Sequence, residues 1–488
     1  MITWFWIFAV IYLGILIFAS TRKYKRHRSL DDFMLAGSNI GALLGVLTYA
    51  AALFSAFIFM GMPDFFRVHG VGAWIFLAVS DGAMFFFIFW FGYHMRRKAK
   101  GLGFKGISGM MNTLYGTRWA GYIVFAGAFL FLIPYVAIQI RGVSIFFNAI
   151  FPEMLPQWGW AIVIVAIMLA YSIIGGLKAI IFSDAVQATL LLSVLVIIGY
   201  NCIKYFGNVE IMFDQVEMTD IRLLSTPGPK GLFTLQFLLA TFIAIIVLPA
   251  TQPQFSTRII VMKSMKETYR MAAGLCIVAP FIFAATAFIG MYGAVRHQGA
   301  TTREFIANTL LFDQSNVLAA LAIVGLFAAV LSTSNAQVFA LGSEFRSMLK
   351  GKDSSILKRT RIALALFTFI VFLFSIVMSD QLVLLARVSF AGTSMIAPII
   401  LVGILSKKPP GKELIVVSGM ALLIFLISLT NIVPETIAGV RIDLSLHLIL
   451  IIATLLSIMI RKSYTGNKNI EPDKHLKETD GEQLAINK

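Results

Sequence analysis

A handful of polar residues in this chain have no place in a purely apolar helix, and their types and spacing suggest chemistry. Asp184 lies in "GGLKAIIFSDAVQATLLLSVLVII", residues 175–198, with Gln187 three residues on. A carboxylate inside an apolar run is a functional-site candidate, here an ion-pathway residue near one membrane face. The alternative is a helix cap, with Asp184 favouring the positive end of a helix that begins near residue 181. Both roles are compatible, and Gln187 reads as a packing amide. Ser332, Thr333, Ser334 and Asn335 cluster in "GLFAAVLSTSNAQVFALG", residues 325–342. Helix hydroxyls commonly bond back to their own backbone, but three hydroxyls and an amide exceed what one bent helix needs. Neutral hydroxyls combined with freed backbone carbonyls suit a hard cation such as sodium, dehydrating it without trapping it.

A second set is suited to an organic solute. Asp81 stands in "FLAVSDGAMFFF" and Arg141 in "YVAIQIRGVSIFF", with Gln139 two residues before it. Ser55 and Asp64 belong to "GALLGVLTYAAALFSAFIFMGMPDFF", residues 41–66. The planar fork of arginine matches a carboxylate. Asp81 and Arg141 would therefore either bracket a zwitterion or pair with each other as a static bridge. Arg141 alone at the site would suit a monocarboxylate. Arg387, near the end of its span, reads as a snorkelling side chain.

The elements that must hold these residues are membrane helices. The chain has 488 residues, 59% hydrophobic and 13% charged, with a mean hydropathy of +0.86. That leaves too little charged surface for a soluble protein of this length. Apolar runs long enough to cross a hydrocarbon core of roughly 30 Å recur from end to end. The pattern predicts thirteen spans, beginning with a retained helix over residues 2–20 rather than a cleaved signal, because positive charge follows that run instead of preceding it. Of the 40 lysines and arginines, 31 fall on alternate connecting segments. The positive-inside rule then puts the N-terminus outside and the C-terminus in the cytoplasm. The net charge of +16 is spread over every one of those segments, so it reports topology and not a nucleic-acid surface.

Composition also excludes other classes. Cys202 and Cys276 lie in apolar runs and form no disulfide or metal framework, and the six histidines have no ligand spacing. A channel would need a continuous polar pore. A membrane enzyme would need a convergent nucleophile or metal set. The polar tail from Arg461 is too short for a folded module. Two spans, residues 41–66 and 233–253, combine small residues with an interior proline. Interrupted helices at corresponding places in two halves point to an inverted-repeat transporter, although Gly and Pro also serve close packing.

These segments carry a family resemblance. "GGLKAIIFSDAVQ", "AAVLSTSNA", "DDFMLAGSNIGALLG" and "PATQPQFSTRIIVMKSMKETYRMA", the last with Gln254 and Arg258 in place, are similar to signatures of the sodium/solute symporter family. The resemblance is clearest over residues 30–405. It implies an all-α polytopic membrane protein of about 13 transmembrane helices with the LeuT-type 5+5 inverted repeat. The parts would be a first helix and basic inner loop (1–40), a first repeat (41–205), an outer loop (206–232), a second repeat (233–405), two further helices (406–460) and a polar cytoplasmic tail (461–488). The shared sodium site of the family maps onto carbonyls at Ala51 and Phe54, with Ala329, Ser332 and Thr333 from the eighth repeat helix. A second sodium in some members uses the signature acid, here Asp184, with two serines. The matching positions here read Asn335 and Ala336, so one sodium per cycle is expected.

The resemblance thus implies a secondary active transporter in the cell membrane. It would bring a small organic solute, carboxylate or amino-acid-like, into the cell with sodium by alternating access. Ser55, Asp81, Gln139 and Arg141 are the solute candidates. Sodium is the coupling ion, and no organic cofactor, nucleic acid or obligate protein partner is expected beyond solute, ion and lipid bilayer. The alternatives are a solute sensor on the same scaffold, or proton coupling.

Overall fold

A computed structural model describes residues 1–21, 38–174, 176–430 and 432–466. The basic segment after the first helix, all of "DDFMLAG" and the end of the tail lie outside the described residues.

The structure is helical nearly throughout. The first helix, α1, spans Ile2–Thr21. Two groups of five helical units follow, each opening with an interrupted helix. The first group is α2 (Ala42–Leu53) with α3 (Phe57–His69), α4 (Gly72–Leu102), α6 (Arg118–Ile150), α7 (Gln157–Ile174) and α8 (Gly176–Phe206). The second is α10 (Leu235–Ile246), α11 (Leu248–Thr251) and α12 (Pro253–Ile260), then α13 (Met265–Arg296), α15 (Asn316–Met348), α16 (Asp353–Val377) and α17 (Leu382–Ser394) with α18 (Ala397–Leu405). α19 (Glu413–Ser428) and α20 (Ile442–Gly466) complete the bundle, joined by a two-residue hairpin ladder of Thr436–Ile437 with Val440–Arg441. Short helices absent from the sequence reading lie in the connections: α5 (Ile107–Tyr115), α9 (Val209–Thr219) and α14 (Thr302–Ala307). Among the described residues seven helices are long and apolar enough to cross a membrane, nine if each bent pair is one span, and four shorter helices are apolar.

Each interruption has a local cause. α2 ends where Phe54 turns extended (φ −85°, ψ 108°), and α3 leaves at 64° to it. In the second group Gln252 is extended (φ −105°, ψ 118°) between Pro249 and Pro253, neither of which donates a backbone hydrogen bond. α17 and α18 bend by 43° before Pro398, so this span too is not straight.

Burial sorts the helices. The apolar window of α15 is 83% buried and that of α6 is 72% buried, against 28% for α16. α15 and α6 are therefore central. α16 presents Ile362, Leu366, Phe369 and Leu373 outward at helical spacing, a stripe that only hydrocarbon satisfies.

Candidate functional site

The site is built where α2 stops. Ala56 donates its backbone N–H to Gln139 Oε1 (3.1 Å) and Phe57 to Ser55 Oγ (3.2 Å). The carbonyls of Ala52 and Leu53, which those amides would occupy in a continuous helix, are thereby released from the ladder. Tyr135 of α6 donates its hydroxyl to the Leu53 carbonyl at 3.2 Å. Facing this end from α15, Thr333 Oγ1 lies 2.8 Å and Ser332 Oγ 3.3 Å from the Ala51 carbonyl, and Ser332 Oγ lies 2.8 Å from the carbonyl of Ala329. Ala51, Ala329, Ser332 and Thr333 are thus drawn together, all buried. Phe54 stands at the break itself, its ring packed edge-on against Phe283.

Every oxygen in this cradle is neutral, and two hydroxyls converge on one carbonyl. A hard monovalent cation fits such a set: the hydroxyls can turn their lone pairs inward, and no fixed charge holds the ion too tightly. Among the described residues no three His, Cys, Asp or Glu side chains gather as a metal-ligating group.

Asp184 occupies a different position from the one its flanking sequence suggested. α8 begins at Gly176, so Asp184 lies well inside the helix and caps nothing. Its carboxylate is fully buried and accepts from Thr48 Oγ1 at 2.6 Å and Arg258 Nη2 at 2.7 Å. Arg258 also donates to the Thr48 carbonyl (2.8 Å) and the Gln254 carbonyl (3.0 Å). One ion pair therefore ties α2, α8 and α12 together. Arg258, which the proline-flanked segment gave no reason to expect inside the bundle, lies in α12 and is 1% exposed. The available signal was the need of a buried acid for a buried base. Gln187 donates to the Tyr12 hydroxyl of α1 at 2.7 Å, a packing bond.

The expected partnership of Asp81 and Arg141 is not present. Arg141 Nε bonds Asp380 Oδ1 at 2.8 Å and Nη1 bonds the Ile376 carbonyl at 3.2 Å, toward the end of α16. Two residues apart on one helix point to different sides, so Gln139 reaches the break in α2 while Arg141 faces away from it. Asp81 is 2% exposed and pairs with no arginine or lysine among the described residues. Arg387 does not snorkel either. It is buried against Asp443 of α20, bonds Thr241 Oγ1 at 2.9 Å and lies over the Phe237 ring at 4.4 Å.

The two ends of the bundle are closed by different contacts. At the lysine- and arginine-rich end, Ile40 bridges Met262, Arg96 holds the carbonyls of Ile259 and Ile260, and Glu344 of α15 accepts from the amides of Ile107 and Ser108 at the start of α5. At the other end Asp64 takes Arg67 and the hydroxyl of Thr302 (2.7 Å). A 120 Å³ pocket remains there between α3 and the start of α17, lined by Asp64, His69 and Asp380 among others.

A model of the sodium:solute symporter family matches residues 33–412. The high-affinity proline transporter PutP of Bacillus subtilis is 21% identical over 405 residues, which cover 79% of this chain and 84% of that protein. The sodium/pantothenate symporter of Haemophilus influenzae is 23% identical over 332 residues, 67% of this chain and 65% of that protein. The substrate-bound outward-open structure of a sodium-coupled sialic acid symporter superposes with a TM-score of 0.71 at 17% identity, over 93% of this chain and 98% of the other. At that identity the likeness concerns the fold, the LeuT type.

Proposed function

The chain belongs to the sodium:solute symporter family, a sodium-coupled carrier of a small solute, and from that premise we propose how its own residues do the coupling. Sodium binds between the broken end of α2 and the middle of α15, held by carbonyls at Ala51 and Phe54 with Ala329, Ser332 and Thr333. The solute sits beside it, next to Ser55, Gln139 and Asp81. The basic end of the bundle faces the cytoplasm of a cell whose plasma membrane holds the protein, and the end carrying Asp64 faces outside.

The observation that carries this reading is the convergence of Ser332 and Thr333 on the Ala51 carbonyl, 281 and 282 residues away in sequence. A cation there joins the two repeats, which favours the arrangement closed at the cytoplasmic end. The Asp184–Arg258 pair and Thr48 latch the same end and must part before sodium leaves inward. Asp184 then offers a carboxylate to the departing ion. Sodium and solute each favour binding of the other, and the effect is reciprocal. The relatives named for proline and pantothenate support a small polar organic solute. With Arg141 committed to Asp380, a carboxylate held by that arginine is no longer part of the reading.

The test is thermal unfolding and vesicle uptake with the purified protein. Sodium, but not potassium, should stabilise the wild type, and an inward sodium gradient should drive accumulation above equilibrium. Ser332→Ala and Thr333→Ala should each raise the sodium concentration for half-maximal effect about tenfold, the loss of one ligand hydrogen-bond equivalent of ~1.4 kcal/mol. Unchanged sodium activation in both variants would remove the ion from this site.

A further inference from the structure

At the lysine- and arginine-rich end of the bundle, a cavity of about 500 Å³ opens between the end of α4 and the junction of α12 with α13. Arg96, Arg97 and Lys100 line it with Tyr93, Ile260 and Met265, and no acidic side chain does so among the described residues. The neighbouring groups are already engaged. Arg96 donates to the carbonyls of Ile259 and Ile260, Lys98 donates to that of Ser406, and Glu267 accepts from the Ala42 amide and Arg270. Arg97 and Lys100 enter no ion pair among the described residues. Solvent satisfies an exposed cation anywhere, so this alone identifies no ligand. The order of side chains along α4 does. Phe86, Trp90, Tyr93, Arg97 and Lys100 are all exposed and recur at alternating spacings of four and three, which is one face of a helix. Toward the helix end that face runs from apolar through amphipathic aromatic to cationic, the sequence of environments from hydrocarbon through interface to headgroup. From Phe86 to Lys100 the helix rises about 21 Å, the thickness of one leaflet with its headgroups, about 20–22 Å. Tyr269 of α13 stacks on Phe89 at 5.7 Å and extends the aromatic part of the face across to the second helix.

We infer that this groove binds an anionic phospholipid of the cytoplasmic leaflet, with the lipid phosphate on Arg97 and Lys100 at the mouth of the cavity and an acyl chain laid along Trp90 and Phe86. The choice of leaflet rests on the proposed orientation; the site itself does not. A guanidinium takes two phosphate oxygens in one plane, and the ammonium adds a point charge. Basic pockets between membrane helices at the cytoplasmic surface suit such headgroups. A free phosphate would meet the cations but cover none of the apolar lining. A zwitterionic lipid would lay down its chains but bring a cation of its own to Arg97 and Lys100. The bound lipid fills the gap beside Ile260 and Met265, where Arg96 already ties α4 to the end of α12 two residues past Arg258. It therefore stabilises the arrangement closed at that end.

The experiment titrates the full-length protein, in neutral detergent micelles, with phosphatidylglycerol, with phosphatidylcholine of the same chains, with glycerol 3-phosphate and with inorganic phosphate, and follows thermal unfolding. Saturable stabilisation by phosphatidylglycerol, and none by the other three, is the expected result. Arg97→Gln combined with Lys100→Gln should raise the half-saturating phosphatidylglycerol concentration about thirtyfold, the scale for two cations at an anionic surface. Lys358→Gln combined with Arg359→Gln removes the same charge from exposed positions at the start of α16 and should leave it within about twofold. A second measurement needs no charge variant. Phosphatidylglycerol brominated near the head of its chains should quench tryptophan fluorescence more than brominated phosphatidylcholine, and Trp90→Phe should abolish that excess. Equal stabilisation by either soluble phosphate makes this a soluble-anion site and overturns the inference. Equal loss in the two double variants reduces it to diffuse charge and overturns it too. So does an Arg97→Gln, Lys100→Gln protein that keeps its affinity, a wild type indifferent to phosphatidylglycerol, or a quenching excess that survives Trp90→Phe. None of these outcomes touches the proposed function, which stands or falls on the sodium shift.

Discussion

At the scale of single residues, this protein is a set of buried charges whose partners decide their roles. Arg141 and Asp81 looked equivalent, each an ionisable side chain in an apolar run. Arg141 is partly exposed and bonded to an Asp380 that is a third exposed, whereas Asp81 is buried. Exposed ion pairs contribute at most about 1 kcal/mol. Arg141→Gln is therefore expected to change solute affinity by less than about fivefold, well below the effect of Asp81→Asn in the same binding assay. A larger loss from Arg141→Gln would return that arginine to the solute site. Ser332 and Thr333 could be picked out early, because a hydroxyl cluster in a membrane helix is conspicuous at any depth. Arg258 could not, because its proline-flanked segment resembles a loop until α12 is seen to be buried.

At the scale of elements, close approach decides which helices can tilt together. Gly290 of α13 lies against α3, where an added Cβ would meet the Phe66 side chain and the backbone carbonyl of Pro63. Backbone does not yield easily, so Gly290→Ala should destabilise by about 1–3 kcal/mol. Gly82 of α4 has open space around it, and Gly82→Ala should be neutral or stabilising by up to about 1 kcal/mol. Thermal unfolding of the two variants in detergent checks the contrast, and equal effects would mean that α3 and α13 pack differently. The breaks themselves were visible as prolines and small residues in two apolar runs. Their positions at Phe54 and Gln252 were less so, since proline marks the neighbourhood of an interruption and side-chain capping by Gln139 and Ser55 sets where it falls. The short helices α5 and α14 escaped sequence reading because they lie in connections, where length is too small for periodicity to register.

At the scale of the whole molecule, the two ends are held by unlike contacts, and transport requires that they open in turn. One latch, between α2, α8 and α12, is a fully buried ion pair with Thr48. The opposite closure, around Asp64, Arg67 and Thr302, is only partly buried. Membrane potential acts on the charge that crosses, about 2.3 kcal/mol per charge per 100 mV. If sodium travels with an organic cation, the driving force should rise by about 4.6 kcal/mol per 100 mV. With a zwitterion it should rise by half as much. Accumulation ratios in vesicles clamped at several potentials discriminate between these slopes.

Sequence alone was sufficient for membrane residence, the helical class, the family resemblance and the hydroxyl pair facing a broken helix. These depend on quantities that accumulate along the chain: transfer free energy per residue, the run length that spans hydrocarbon, and residue types at short helical spacing. Only the tertiary structure decided which buried charges meet. Arg258 finds Asp184 from 74 residues away, Arg141 finds Asp380 from 239, and Arg387 finds Asp443 from 56. Electrostatic pairing falls off over a few ångströms in space and is indifferent to separation in sequence.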